Sequence, residues 1–290
     1  MPVWMRPFLA VVIGFAVPLP ITPIQTNEVV LVGAGDIASC ESDASEATAR
    51  LLDGIEGMVF TLGDNVLQHG SADEYANCYD PTWGRHKERT RPVPGNHDYD
   101  TPGASGYFEY FGESAGNPGE GWYAFDHGSW RIIALNTNCG EIGGCDARSP
   151  QLAWLEAELS DNSHPCTLAY MHHPRFTSTP SGDDADLDAM WEVLYDHGAE
   201  IVLSGHAHTY ERFSPMDPEG NHDPAGIVQF VAGTGGNDLH AFDRISPHSE
   251  SRNDQVHGVL RLTLKQGDYD WAFVPAGPGE FNDEGSGSCH

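Results

Sequence analysis

"EVVLVGAGD" (Glu28 to Asp36), "DASEATARLLDG" (Asp43 to Gly54) and "GMVFTLGDN" (Gly57 to Asn65) follow one another in the first quarter of the chain. The first and third are continuous apolar runs that close on glycine and a polar residue, the pattern of a buried strand delivering a polar side chain at its C-terminal end. The second has helix-forming composition, with Asp43 or Ser45 placed to cap it and Gly54 to stop it. Strand, helix and strand in that order make a β-α-β unit, so the two strands are expected to run parallel.

The same alternation continues downstream. "WYAFDHGSWRIIALN" (Trp122 to Asn136) reads as two strands joined at His127-Gly128, and "SPQLAWLEAEL" (Ser149 to Leu159) as a helix with Leu152, Leu155 and Leu159 on one face. "CTLAYMHHP" (Cys166 to Pro174) is another buried strand. Leu187, Met190, Trp191 and Leu194 then mark a helix that leads into the strand "EIVLSGH" (Glu200 to His206). These stripes are core and carry no chemistry. The final third, with "GIVQFVAGTGG" (Gly226 to Gly236) and "GVLRLTLKQGDYDWAFVP" (Gly258 to Pro275), suggests antiparallel strands around Gln266-Gly267-Asp268. Mixed sheets with helices outside them give an α/β sandwich. The closing "AGPGEFNDEGSGSCH" is flexible in composition, though Cys289 is placed to fasten it.

The chain has 290 residues and a formal net charge of −29, which argues against a nucleic-acid polymer as partner, because a phosphate backbone needs a basic surface. No stable protein partner is implied. Near the N-terminus, Arg6 precedes the apolar run Phe8 to Val17, which Pro18 and Pro20 end short of a spanning length. That is an export signal, either cleaved or retained as an anchor, and it implies a secreted, periplasmic or extracellular protein. The expected organisation is a leader over 1–25, one domain over 26–275 and a tail over 276–290. Six cysteines without a C-x-x-C pair imply disulfides in such a compartment. Cys139 with Cys145 closes a short loop, Cys166 with Cys289 ties the tail to a core strand, and Cys40 with Cys78 is left by elimination.

Five stretches at strand ends carry residues of ligand type: "GD" at 35–36, "GDN" at 63–65, "GNHD" at 95–98, "MHHP" at 171–174 and "GHAH" at 205–208. Ligands in open α/β sheets gather beyond the carboxyl ends of strands, so these loops can converge. Asp, Asn and His together suit a pair of borderline divalent metals.

Those ordered blocks resemble the calcineurin-like metallophosphoesterase superfamily. Within it they are most similar to purple acid phosphatases and their bacterial relatives, whose pattern is GDxG, GDxxY, GNH(D/E), VxxH and GHxH. The similarity runs from about Val29 to Arg212, includes "HTYER", and extends to "FVAGTGG". It implies a four-layer α/β/β/α sandwich of two mixed β-sheets flanked by helices. It also implies two divalent or mixed-valence ions of zinc, manganese or iron. Asp64 would bridge both, with Asp36 and His208 on the first and Asn96, His172 and His206 on the second.

Two cations neutralise the oxygens of an anionic ester and activate water, so the reaction implied is hydrolysis of phosphate monoesters by a metal-bound hydroxide. The substrate would be a small phosphorylated molecule. His97 is the candidate acid for the leaving group, with Asp98 orienting it. His173 and Asn96 are candidate phosphate contacts. His240 is expected not to reach the substrate, and the remaining histidines lack motif context.

Two positions depart from the relatives. Many carry D-x-H where this chain has Asp36-Ile37-Ala38, and the purple enzymes carry tyrosine where it has Leu67. The first ion would then be held by Asp36, Asp64 and His208 alone, with His69 a substitute only if its loop turns inward. The alternatives are a phosphodiesterase on nucleotides or lipid head groups, and a metal-depleted binding protein of the same fold.

Overall fold

The β-α-β unit forms as its apolar runs dictate. The computed structural model describes residues 1–4, 28–277 and 281–290. In it, β1 (Val29–Ala34), the two-residue β2 (Ala38–Ser39), α1 (Ala44–Asp53), β3 (Met58–Leu62) and the two-residue β4 (Val66–Leu67) follow in order, with β1 and β3 parallel. Asp43 occupies the N-cap of α1 but makes no side-chain capping bond. The helix is fixed instead by burying Ala49 and Leu52 against Val32 and Val59. The apolar run Phe8 to Val17 of the expected leader lies outside the described residues. Among those described, no helix is long and apolar enough to cross a membrane.

Next come α2 (Ala72–Glu74), β5 (Thr90–Val93) and α3 (Ser105–Phe111), then the hairpin β6 (Tyr123–His127) and β7 (Trp130–Ala134). After it lie α4 (Pro150–Ser160), β8 (Cys166–Tyr170), α5 (Asp188–Asp196) and β9 (Ile201–Ser204). The last third holds β10 (Tyr210–Phe213), β11 (Val228–Ala232), β12 (Ser249–Asn253), β13 (Gly258–Leu264), β14 (Asp268–Pro275) and β15 (Glu284–Ser288).

Two sheets result, ordered β15-β14-β13-β1-β3-β5 and β12-β10-β11-β9-β8-β7-β6. Alternation of side chains across each strand then builds three cores. Leu31, Phe60, Leu168, Leu203 and Phe230 meet between the sheets. Leu155, Trp191 and Leu194 cover the outer face of the seven-stranded sheet through α4 and α5. Leu52, Tyr107 and Phe111 cover the other outer face through α1 and α3. The layers are therefore α/β/β/α.

Two expectations are corrected. β11, read as antiparallel, pairs parallel with β9 and antiparallel only with β10. The segment 276–290, read as a flexible tail, supplies β15, which pairs along β14 from Asp268↔Ser288 to Ala272↔Glu284. The disulfides Cys40–Cys78, Cys139–Cys145 and Cys166–Cys289 pair as expected, the last tying β8 of one sheet to the end of the other.

Candidate metal centre

β1, β3, β5, β8 and β9 all point their C-terminal ends to one edge of the sandwich, and the loops that leave them are bound to one another. Asp36 N donates to Gly63 O (3.1 Å), Ile37 N to Asp64 O (3.0 Å) and Gly205 N to His172 O (2.9 Å). This close approach excludes side chains. A Cβ on Gly95 would sit 2.1 Å from Asp64 Oδ1, and one on Gly205 would sit 2.6 Å from Leu62 O. Asp36, Asp64, His206 and His208 all have positive φ, 58°, 48°, 65° and 50°, a conformation unfavourable for residues other than glycine. Strain of this kind persists only where the surrounding structure fixes it, and it gathers at functional sites.

The side chains fall into two groups that meet at Asp64. In the first, donor atoms of Asp36, Asp64 and His208 all lie within 4.8 Å of one another. Asp36 Oδ2 accepts from His206 N (2.8 Å), while Oδ1 is buried, has no hydrogen-bond partner and lies 3.2 Å from His208 Nε2. In the second, His172 Nε2 lies 2.9 Å from Asn96 Oδ1, 3.2 Å from His206 Nδ1 and 3.4 Å from Asp64 Oδ2. Asn96 Oδ1 is 3.0 Å from His206 Nδ1.

The outer nitrogens fix the tautomers. His172 Nδ1 donates to Leu62 O (2.7 Å) and His208 Nδ1 to Asp238 O (2.8 Å), which leaves each Nε2 facing inward toward the Asp64 and Asp36 carboxylates. Burial alone would lower His208, but the Asp36 carboxylate outweighs it and raises the imidazole to about 9. His172 is likewise lowered by burial and raised by Asp64, to about 9. Burial pulls Asp64 up, yet His172 and His97 hold it below the ordinary carboxylate range. Converging acceptors, an orphaned buried carboxylate oxygen and stabilised positive charge at both groups fit a pair of cations.

His173, expected near phosphate, has its Nδ1 2.8 Å from Thr137 Oγ1, and its ring packs 4.5 Å from His206 and 4.8 Å from His172. Burial and the neighbouring imidazoles lower it to about 2, so it stays neutral. The His97 ring is partly exposed, with Nε2 4.0 Å from Asp64 Oδ2.

Asp98 does not orient His97. Its Oδ2 accepts from Gly95 N (2.8 Å) and Asn65 Nδ2 (3.1 Å), and its Oδ1 from Tyr75 OH (2.6 Å). Burial, helped by the charge of Asp64, raises it to about 6. The groups that face His97 Nδ1 are Gln68 O (2.9 Å) and Asp100 Oδ2 (3.2 Å). The readable signal was the i, i+3 spacing of His97 and Asp100 around a 3-10 turn, which stacks those positions.

Ala38 and Leu67 are buried, and the segments holding them pair as the short ladder β2–β4. Apolar packing fills both places where relatives carry ligands. His69 is exposed, and its backbone is held by Glu74 Oε2 (3.2 Å) and Thr101 Oγ1 (2.6 Å) outside both donor groups. His240, by contrast, reaches the site. Its N donates to His208 O (3.0 Å) and its ring stacks on His208 with centroids 4.1 Å apart. It lines a cleft of about 810 Å³ over Asp64, Asn96, His97, His206 and His208.

A four-layer sandwich with this oxygen and nitrogen donor set at its strand ends defines the metallophosphoesterase class. The calcineurin-like phosphoesterase family model matches residues 27–210, and the chain belongs to that family. It is 28% identical over 234 residues to purple acid phosphatase 15 of Arabidopsis thaliana, covering 67% of this chain and 43% of that protein. Against purple acid phosphatase 21 of the same plant it is 27% identical over 270 residues, covering 83% and 59%. The chain thus spans about half the length of these relatives. Among solved structures it superposes on purple acid phosphatase PPD1 from yellow lupin with a TM-score of 0.73 at 19% identity, over 92% of this chain and 55% of that one.

Proposed function

We propose that the chain is an exported, metal-dependent phosphatase that hydrolyses phosphate monoesters at a two-metal centre. The observation that supports it is the pair of donor groups meeting at Asp64, with Nδ1 of His172 and His208 tied to backbone carbonyls and their Nε2 atoms facing the Asp64 and Asp36 carboxylates. Asp36, Asp64 and His208 would hold one ion, and Asn96, His172, His206 and Asp64 the other. Divalent ions bound there would neutralise the phosphoryl oxygens and acidify water.

The chain's own residues supply the rest. Asp64 is fixed by His97 N (2.9 Å) on Oδ1. The His97 imidazole, anchored at Nδ1, presents Nε2 to the cleft and holds the proton that the leaving oxygen takes. His173 is kept neutral by burial and the neighbouring imidazoles and held in place by Thr137, beside His206 and His172, where it can donate to a phosphoryl oxygen. Three disulfides joining all six cysteines support export.

The test is to strip the purified protein with chelator and restore zinc, manganese or iron(II) singly. Metal content is then measured beside turnover of nitrophenyl phosphate and bis(nitrophenyl) phosphate. Metal-dependent turnover favouring the monoester is expected. Preference for the diester would make the protein a phosphodiesterase. A second reading, a metal-depleted binding protein of the same fold, is favoured by the apolar packing at Ala38 and Leu67; failure to retain two ions with neither ester cleaved would support it, and a full metal complement with ordinary turnover would remove it.

A further inference from the structure

We propose that this site selects phosphoesters whose remaining part is a compact, uncharged, flat or apolar body, and discriminates against substrates bearing a second anionic group. The proposal rests on the phosphatase reading and concerns what lies beyond the ions. Two short segments wall the cleft beyond the donor groups, Thr179-Pro180-Ser181 and Leu239-His240-Ala241. They offer hydroxyls, apolar surface and one imidazole, and among the described residues no lysine or arginine lines the cleft.

The surroundings do not supply the missing cation. Past Thr179 and Pro180 a neighbouring hollow carries Arg244 between Asp183 and Asp243, one cation against two carboxylates. An added anionic group would meet two carboxylates for one guanidinium there, under the field of a chain with formal charge −29. An uncharged ring, by contrast, finds Pro180, Leu239 and the His240 imidazole among the lining residues.

The walls are also held in place. Glu211 is fully buried on β10, and its carboxylate accepts from Ser178 N (2.9 Å), Ser178 Oγ and Ser249 Oγ. Ser178 in turn accepts Ser246 N on Oγ (2.8 Å) and Asp243 N on its carbonyl (3.0 Å). One buried carboxylate thus braces the segment before Thr179 and the segment after Ala241 together.

The experiment compares phenyl phosphate, 4-carboxyphenyl phosphate and 1,4-phenylene bisphosphate on metal-loaded enzyme, since all three share a ring and have similar leaving groups. The expected result is a loss of about tenfold or more in kcat/KM for each anionic analogue, carried by KM, as for a site that leaves a substrate group unpaired. Leu239→Lys should shrink that ratio, and Arg244→Ala should leave it as it was. Equal kcat/KM for the three substrates overturns the selectivity while leaving the phosphatase reading intact. A selective fall for the bisphosphate in the Arg244→Ala variant also overturns it, because Arg244 would then read the distal charge. Absence of turnover on all three by protein with both ions bound removes both readings.

Discussion

Replacing Glu200 by glutamine should reverse sign in its effect on stability as pH rises. Glu200 precedes β9 at the end of the sheet away from the cleft, and only 3% of it is exposed. Its Oε2 accepts from Thr167 N (2.6 Å), while its Oε1 is buried with no hydrogen-bond partner. The groups around it are His290, whose Nδ1 is 4.0 Å from Oε1, Tyr269, and the Arg212 and Glu250 of the adjoining hollow. Burial, opposed by the Thr167 hydrogen bond, pushes the carboxyl from 4.5 to about 7. The folded state therefore binds the proton more tightly than the unfolded chain. The stability this confers is complete below pH 4.5 and lost as pH climbs through 7, an amount of roughly 3 kcal/mol. Glutamine keeps the acceptor for Thr167 N, carries no charge, and leaves one amide N–H pair unpartnered at a cost of about 1 kcal/mol. The variant should thus be less stable than the parent by about 1 kcal/mol at pH 4.5 and more stable by about 2 kcal/mol at pH 8. Urea unfolding followed by circular dichroism at several pH values, with disulfides intact, measures the difference directly. A gap between variant and parent that stays constant from pH 4.5 to 8 would refute the reasoning.

At the centre itself, Gly95→Ala drives a Cβ to 2.1 Å from Asp64 Oδ1, so metal retention and turnover should both collapse while far-ultraviolet dichroism is preserved. His97→Ala should keep the metals and lose rate chiefly with poor leaving groups, as compared on nitrophenyl and alkyl phosphates; equal losses on the two would count against His97 as the acid. Leu67 is buried where the purple relatives carry an iron-binding tyrosine, so the protein should be colourless, and Leu67→Tyr loaded with iron should gain a visible absorption band. Changing Cys166 and Cys289 to serine opens a link across a sequence separation of 123 and should cost roughly 2–5 kcal/mol in denaturant unfolding, with metal content unchanged.

The convergence of the candidate donors was legible because each follows an apolar strand and a tight turn, so one-dimensional order already encodes their meeting. Asp36, Asp64, Asn96, His172, His206 and His208 all come together. What sequence hid was direction. Asp98 follows His97 directly and Asp100 comes three residues on, and only the turn decides that Asp98 points into the core toward Tyr75 while Asp100 faces the His97 ring. His240 comes to the site because Asn237 N binds Asp36 O (2.9 Å), a long-range contact with no local signature. β15 was invisible for a different reason. "EGSGS" has no apolar alternation, since Gly285 and Gly287 lie against the rings of Trp271 and Tyr269, where a Cβ would be 2.3 Å from either. Its partner's aromatics supply the bulk that strand patterning looks for.

The left-handed backbone at Asp36, Asp64, His206 and His208 has an evolutionary corollary. Each of these residues costs the fold on the order of 1 kcal/mol that glycine would not, and only the donor atom justifies keeping it. While the site is under selection that tension is maintained. Once selection is relaxed, drift should favour glycine or asparagine at these four positions first, because such changes relieve strain and remove buried carboxylates and imidazoles together. Retired members of the family would then differ from working ones by a gain in thermal tolerance, and the pattern of glycines at four strand ends would record the loss of chemistry before the rest of the sequence did.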